Sequence, residues 1–291
     1  MHFRTLLSPW TDRAGRFSPL KTGTFVLACI PALLVAVALW RNELGPLPYK
    51  EALHRIGDWT VRLLIATLAL SPLQRILMWP RLASIRRMLG VAAFTYALAH
   101  LTLYAVNEKL DLVFVVSEIV RRIYLTIGFT ALVGLCLLAA TSTDAAMRRL
   151  GRNWKRLHVI VYGVAVLALL HYFMQSKIDV SQATLWSGLF LLLMLYRIAM
   201  KLRFTLTPAT LAACALLGGA LTALAEFAWY GLATGVDPLR VLKANLVFAY
   251  GLRPAWTVVL IGLAVALVPW IRQAYGLASA RLSPARNAAT R

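Results

Sequence analysis

Acid is scarce in this 291-residue chain: Asp and Glu number 11 against 31 Lys and Arg. Charged residues of either sign make up only 14%, while 60% are hydrophobic. A soluble domain is about half apolar and a quarter charged, so a soluble fold is excluded. The net charge of +20 would point to nucleic acid only if it formed a basic face on a soluble fold. Here the charges fall in short clusters between apolar runs, as membrane topology demands. Cysteine is nearly absent too. Cys29, Cys136 and Cys214 are isolated in apolar runs, with no CxxC or Cys/His zinc spacing, so they read as packing residues. No GxGxxG opens a βαβ unit and no P-loop exists. A soluble nicotinamide or flavin domain is thereby excluded. No internal repeat or low-complexity tract stands out. The first apolar run lacks a small-residue cleavage site and is expected to stay as a helix.

What is present is a series of apolar runs, and the fold class they imply is an all-α integral membrane bundle. Runs at about 22–40, 58–78, 88–106, 123–141, 155–175, 183–201, 207–230 and 254–273 each have roughly the 20 residues needed to span. Segment 110–120 is too short and mixes acids with apolar residues, which suits an interfacial helix. With the N-terminus inside, twenty of the 31 basic residues fall on the inner side. Of the acids only Asp12 and Asp144 lie inside, Glu226 falls within a span, and the other eight lie outside. This bias places both termini in the cytoplasm. Residues 204–291 hold two more spans but no histidine, so they read as an appendage to a six-span core within 1–203.

The stretch Trp154–Gln175, WKRLHVIVYGVAVLALLHYFMQ, carries a histidine near each end. His158 and His171 lie thirteen residues apart, roughly 20 Å along a helix. Ionisable groups inside a membrane suggest function by default, and imidazole is a common metal ligand. Topology sets the depths: His100 on the third span and His171 on the fifth both sit near the outer face, His158 near the inner. Two histidines at matched depth on different helices can grip one haem b from opposite sides in a flat apolar slot. The alternative is isolated polar residues hydrogen-bonded between helices, and the depth-matched pair favours haem. For a second haem His158 would want a partner where Arg87 stands, and arginine cannot ligate. His158 thus has two open roles, a haem with a ligand from elsewhere or a quinone or flavin contact.

Other charged groups are weaker signals. His54, with Arg55 and Asp58 nearby, reads as a solvated histidine in the outer loop, and His2 as part of a mobile terminus. Arg62, Arg121 and Arg122 are placed either to hold haem propionates or to snorkel. The inner loop 141–157, with five basic residues and a cap at Ser142 or Thr143, can meet an anionic cofactor, membrane lipid headgroups or a redox partner, although topology alone explains it. Glu226 lies close to Trp229 and Tyr230 and reads as part of the interfacial belt rather than a proton relay. Gly218–Gly219 reads as helix packing.

The pieces ATLALSP (66–72), RRMLG (86–90), LAHLTLYAV (98–106), YLTIGF (124–129), LAATST (138–143) and RLGRNWKRLHVIVYGVAVLALLHYFMQSK (149–177) together resemble the ferric-reductase-like transmembrane family. Within it they are most similar to haem-binding membrane subunits of methionine-sulfoxide reductase systems. By that resemblance His100, His158 and His171 fall on haem-associated histidines, His54 on a further histidine seen there, and Arg62 on an expected basic residue. Members often carry proline where Ile123 stands, and shorter members lack the C-terminal pair of spans. The resemblance implies a bacterial inner-membrane electron conduit with haem b and an associated FMN. Electrons would come from the quinone pool or a cytoplasmic flavin reductase. They would pass to a periplasmic MsrP-type molybdoenzyme, which reduces methionine sulfoxide in oxidised proteins. The chain would then be an electron-transfer subunit rather than the sulfoxide-reducing one. Rival readings are a ferric or oxygen reductase, which normally carries its own flavin domain, and a haem-free transporter or scaffold. The last would show paired charges within spans or inverted repeats.

Overall fold

A computed structural model describes residues 10–11, 15–176, 179–249 and 251–282 of the chain, with side chains as far as Arg272. His2, Asp12, Arg4, Arg13, Arg286 and Arg291 lie outside the described residues. The structure is 81% helical, with no strand among the described residues. Its helices are α1 (Pro19–Trp40), α2 (Pro48–Ile76), α3 (Arg86–Asn107), α4 (Leu112–Arg121), α5 (Ile123–Ala140), α6 (Asp144–Leu150) and α7 (Arg152–His158). They continue with α8 (Val161–Gln175), α9 (Ser181–Lys201), α10 (Pro208–Ala233), α11 (Pro238–Ala244) and α12 (Pro254–Leu282). A 3-10 turn, Pro80–Ile85, leads into α3. Among the described residues eight segments are long and apolar enough to cross a membrane, and each overlaps one of the eight expected spans. This is a multi-pass, all-α membrane protein.

The helices begin and end where local chemistry dictates. The Asp111 side chain accepts from the Phe114 amide at 2.9 Å and opens α4, the expected interfacial segment. In the inner loop Thr143, not Ser142, caps α6, its side chain accepting from Ala146 N at 3.1 Å. Gly151, at φ +51° and ψ −122°, turns the chain between α6 and α7, a conformation open to glycine alone. Residues Val159 and Ile160 interrupt the expected continuous fifth span, splitting it into α7 and α8. The start of α2 was expected near residue 58 and lies at Pro48. Polar residues hide those opening turns from an apolar window, yet the Glu51–Arg55 pair at 2.8 Å spans one helical turn and supports them. His54 is therefore a helix residue, not a loop residue.

The chain divides into two compact units, one comprising residues 1–70 and 81–178, the other 71–80 and 179–291. Helix α9, the sixth span, lies in the second of these units with the C-terminal helices. In the first unit α1 meets α3 through a polar graft. Pro31 interrupts the α1 ladder, and the Tyr96 hydroxyl donates to Ala28 O at 2.6 Å and accepts from Ala32 N at 2.9 Å. It bridges the pair of backbone groups that would otherwise bond each other. Helix α5 packs on α3, α4 and α8.

In the second unit α9, α10 and α12 pack on one another through small residues. A Cβ on Gly188 would strike Thr222 and Val258, and one on Gly219 would strike Val259. Gly218–Gly219 is a packing feature, as its sequence suggested. Arg272 ties the 71–80 segment to this unit by reaching Ile76 O at 3.4 Å. Glu226 departs from the sequence reading. It is 1% exposed, inside the unit rather than in an interfacial belt, and its Oε1 accepts from Arg253 Nη2 at 2.7 Å. Arg253, just before α12, supplies the counter-charge that makes this burial tolerable.

Candidate functional site

A cavity of about 720 Å³ opens in the first unit between α2, α3, α4, α5 and α8. That is within the range of small-molecule and cofactor sites. His100 from α3 and His171 from α8 both line it, with ring centroids 6.3 Å apart and ring planes crossing at 87°. Each ring is held by a backbone carbonyl. His100 Nδ1 lies 2.9 Å from Leu53 O, and His171 Nδ1 lies 2.8 Å from Tyr124 O. A carbonyl can only accept, so both Nδ1 atoms carry the proton and donate. Nε2 is then the lone-pair nitrogen on each ring. Metal-ligating histidines are typically oriented in this way.

The spacing fits a shared metal. Metal–imidazole bonds run about 2.0–2.1 Å, so two imidazoles on opposite sides of one ion place their centroids roughly 6 Å apart. Among the described residues no group of three or more His, Cys, Asp or Glu could hold a metal ion. Two protein ligands suffice only for an ion whose other ligands come with it, as a porphyrin supplies them.

Polar groups gather around the two rings. The lining includes Lys50, His54, Asp58, Glu118 and Arg122 together with Tyr104 and Tyr124. Arg122 is ion-paired with Glu118 and reaches the Tyr124 hydroxyl at 3.4 Å. The Tyr124 hydrogen bond, with Glu118 beside it, pushes its guanidinium pKa further up, so this cation keeps its charge at any working pH. Among Arg62, Arg121 and Arg122, only Arg122 lines this cavity. Arg121 ends α4, and Arg62 lies along a separate pocket between α1 and α2, its guanidinium 4.8 Å from the Trp59 ring centre.

His158 is not brought to the pair. It stacks on Trp154 with ring centres 3.8 Å apart, its Nδ1 is 3.1 Å from Trp154 O, and its Nε2 is 3.5 Å from Ser142 Oγ. Trp154 Nε1 in turn donates to Thr141 O at 2.9 Å. These contacts tie α7 to the end of α5.

The chain is similar to known proteins. The model of the ferric reductase like transmembrane component family matches residues 56–169, which include His100. The chain is 40% identical over 199 residues to the protein-methionine-sulfoxide reductase heme-binding subunit MsrQ of Xanthomonas campestris, covering 65% of this chain and 90% of the relative. The corresponding subunit of Azospira oryzae is 34% identical over 191 residues, covering 65% of this chain and 82% of its own length. The chain belongs to the MsrQ family. About a third of it, 35%, has no counterpart in the Xanthomonas MsrQ alignment. No solved structure matches.

Beyond the histidines expected from sequence, this MsrQ-family cavity depends on residues that carry no chemical signal. A Cβ placed on Gly57 would come within 2.9 Å of the His100 ring, and one on Gly128 within 2.7 Å of the His171 ring. The carbonyls that orient the rings belong to Leu53 and Tyr124, each one turn before its glycine. The Ile-Gly pair at 56–57 and again at 127–128 was the available signal.

Proposed function

We propose that this chain is a haem b electron conduit of the bacterial inner membrane, with His100 and His171 as axial ligands through Nε2. One observation carries the reading: two imidazoles lie 6.3 Å apart in a cofactor-sized cavity, each with Nδ1 engaged by a carbonyl. The haem supplies one-electron transfer when bound. The chain's own residues hold it, orient it and exclude water. The carbonyls of Leu53 and Tyr124 fix the ring tautomers and raise ligand basicity. Arg122, fixed by Glu118, and Lys50 offer cations to propionates. The apolar lining from α5, including Leu125, Phe129 and Leu132, keeps the local dielectric low.

The charge bias favours cytoplasmic termini and a histidine pair close to the periplasmic side, which supports delivery of electrons outward. On this reading electrons enter from the quinone pool, or from a cytoplasmic flavin reductase through FMN. They leave to a periplasmic MsrP-type molybdoenzyme that reduces methionine sulfoxide. The names of the MsrQ relatives, heme-binding subunits of a protein-methionine-sulfoxide reductase, support the haem and the system served.

The test is a reduced-minus-oxidised visible spectrum of the purified protein with haem quantified per chain, repeated for three variants. His100→Ala and His171→Ala are expected to lose the b-type spectrum and sulfoxide-dependent electron flow, while His158→Ala keeps the haem of the pair. A wild-type protein without a Soret band after expression with ample haem sinks the conduit reading. Unchanged haem in both ligand variants removes the axial assignment.

A further inference from the structure

The cavity is built twice from one pattern. His100 bonds the carbonyl of Leu53 and stands against Gly57; His171 bonds the carbonyl of Tyr124 and stands against Gly128. Each of the three residues in the first set is separated from its counterpart by 71 positions. The same offset governs the walls: ten lining positions of α2 and α3 recur, each 71 residues on, as lining positions of α5 and α8. Asp58 thus corresponds to Phe129, Leu101 to Tyr172 and Tyr104 to Gln175. The shared letters are few, Ile-Gly at 56–57 and 127–128, and Ala-Leu-X-His at 97–100 and 168–171. What is repeated is geometry: a helix presents a carbonyl and, one turn later, a glycine, and the following long helix presents a histidine to both.

From this we infer that the α2–α3 and α5–α8 hairpins form an internally duplicated clamp, in which Gly57 and Gly128 are the positioning residues for the two axial imidazoles. The inference rests on the haem reading above. A side chain at either glycine would push on the Cε1–Nδ1 edge of the facing ring, since the added carbon would lie 2.9 Å from both atoms of His100, and 2.8 and 2.7 Å from those of His171. The ring could yield only by turning about its bonds or by leaving its carbonyl. Either movement redirects Nε2. The two halves hold the rings alike but differ in polarity: His54, Asp58 and Thr60 in one half correspond to Leu125, Phe129 and Ala131 in the other. The grip is symmetric, and the electrostatics are not.

The experiment uses the full chain purified with haem and compares Gly57→Ala, Gly128→Ala and Gly163→Ala. Gly163, in α8, has nothing within 4 Å of an added Cβ and serves as the control. Haem affinity, midpoint potential and the ferric electron paramagnetic resonance spectrum are measured. Crossed imidazole planes give a strongly anisotropic low-spin signal, so a rotated ring is directly visible. Gly57→Ala and Gly128→Ala are expected to weaken haem retention about 10–100-fold, as loss of an orienting partner does. Both should shift the potential and the anisotropy in the same sense, with Gly163→Ala matching wild type. Wild-type affinity, potential and spectrum in both variants would overturn the inference, and so would a response from only one of the two.

If either variant fails to accumulate, it is remade without the facing ring, as Gly57→Ala with His100→Ala and Gly128→Ala with His171→Ala. Accumulation equal to that of the histidine variant alone supports the positioning role. An equal defect with and without the ring shows a helix-packing glycine and overturns it. A wild-type chain that binds no haem strikes the proposed function itself, whereas a bis-imidazole wild type with indifferent glycines strikes this inference alone.

Discussion

Truncating Arg253 should destabilise the second unit far more than neutralising its partner Glu226. The Glu226 side chain is 2% exposed and the Arg253 side chain 30%, with 2.7 Å between Oε1 and Nη2. Arg253→Ala leaves a carboxylate buried without its cation. Breaking a fully buried pair in this way costs about 3–5 kcal/mol, and partial exposure of Arg253 puts the expected loss near the lower figure. Glu226→Gln keeps the shape and removes the charge, while Arg253 retains contact with solvent, so the cost approaches that of one ordinary hydrogen bond, about 1 kcal/mol. The difference of about 2 kcal/mol corresponds to roughly 4–8 °C in Tm for a chain of this size. The double variant, with no buried charge left, should recover part of what Arg253→Ala loses. Thermal unfolding in one detergent at one protein concentration, followed by tryptophan fluorescence, reads all three. If Arg253→Ala is as stable as Glu226→Gln, or the double variant is the worst of the set, the buried-charge reasoning is wrong.

Two further outcomes follow from the same structure. Asp58→Asn removes a negative charge from the cavity wall; a carboxylate near the haem favours the oxidised iron, so the midpoint potential should rise, and a redox titration showing a fall or no change would refute this placement of charge. Gly188→Ala forces a methyl group against Thr222 and Val258, both fully buried, and should destabilise by about 1–3 kcal/mol with haem content unchanged, as unfolding curves and haem quantification would show.

Much of this molecule was legible in its sequence because the bilayer imposes a one-dimensional code. A span needs about 20 apolar residues whatever its neighbours, so all eight spans, and the short α4 between the third and fourth, could be placed by reading windows. Histidines in such windows stand out because burying them is costly, which made His100 and His171 visible before any fold was known. The code failed where polar residues were stabilised by partners distant in sequence or one turn away. The opening turns of α2 were hidden by Glu51 and Arg55, which pair with each other, and this put His54 in a loop instead of on a helix. Glu226 looked interfacial from its aromatic neighbours, because nothing nearby announced that Arg253, 27 residues on, would follow it inside.

The sequence by itself determined that this is an all-α membrane protein with few histidines set in its apolar runs, since hydropathy and the cost of buried imidazole are local properties. Only the tertiary structure decided that His100 and His171 face one cavity while His158 turns to Trp154 and Ser142. Only it grouped α9 with the C-terminal helices, and only it showed one carbonyl–glycine–histidine device used twice. Those facts depend on which helices meet and at what register. Glycine and a backbone carbonyl have no side-chain chemistry for a sequence to display.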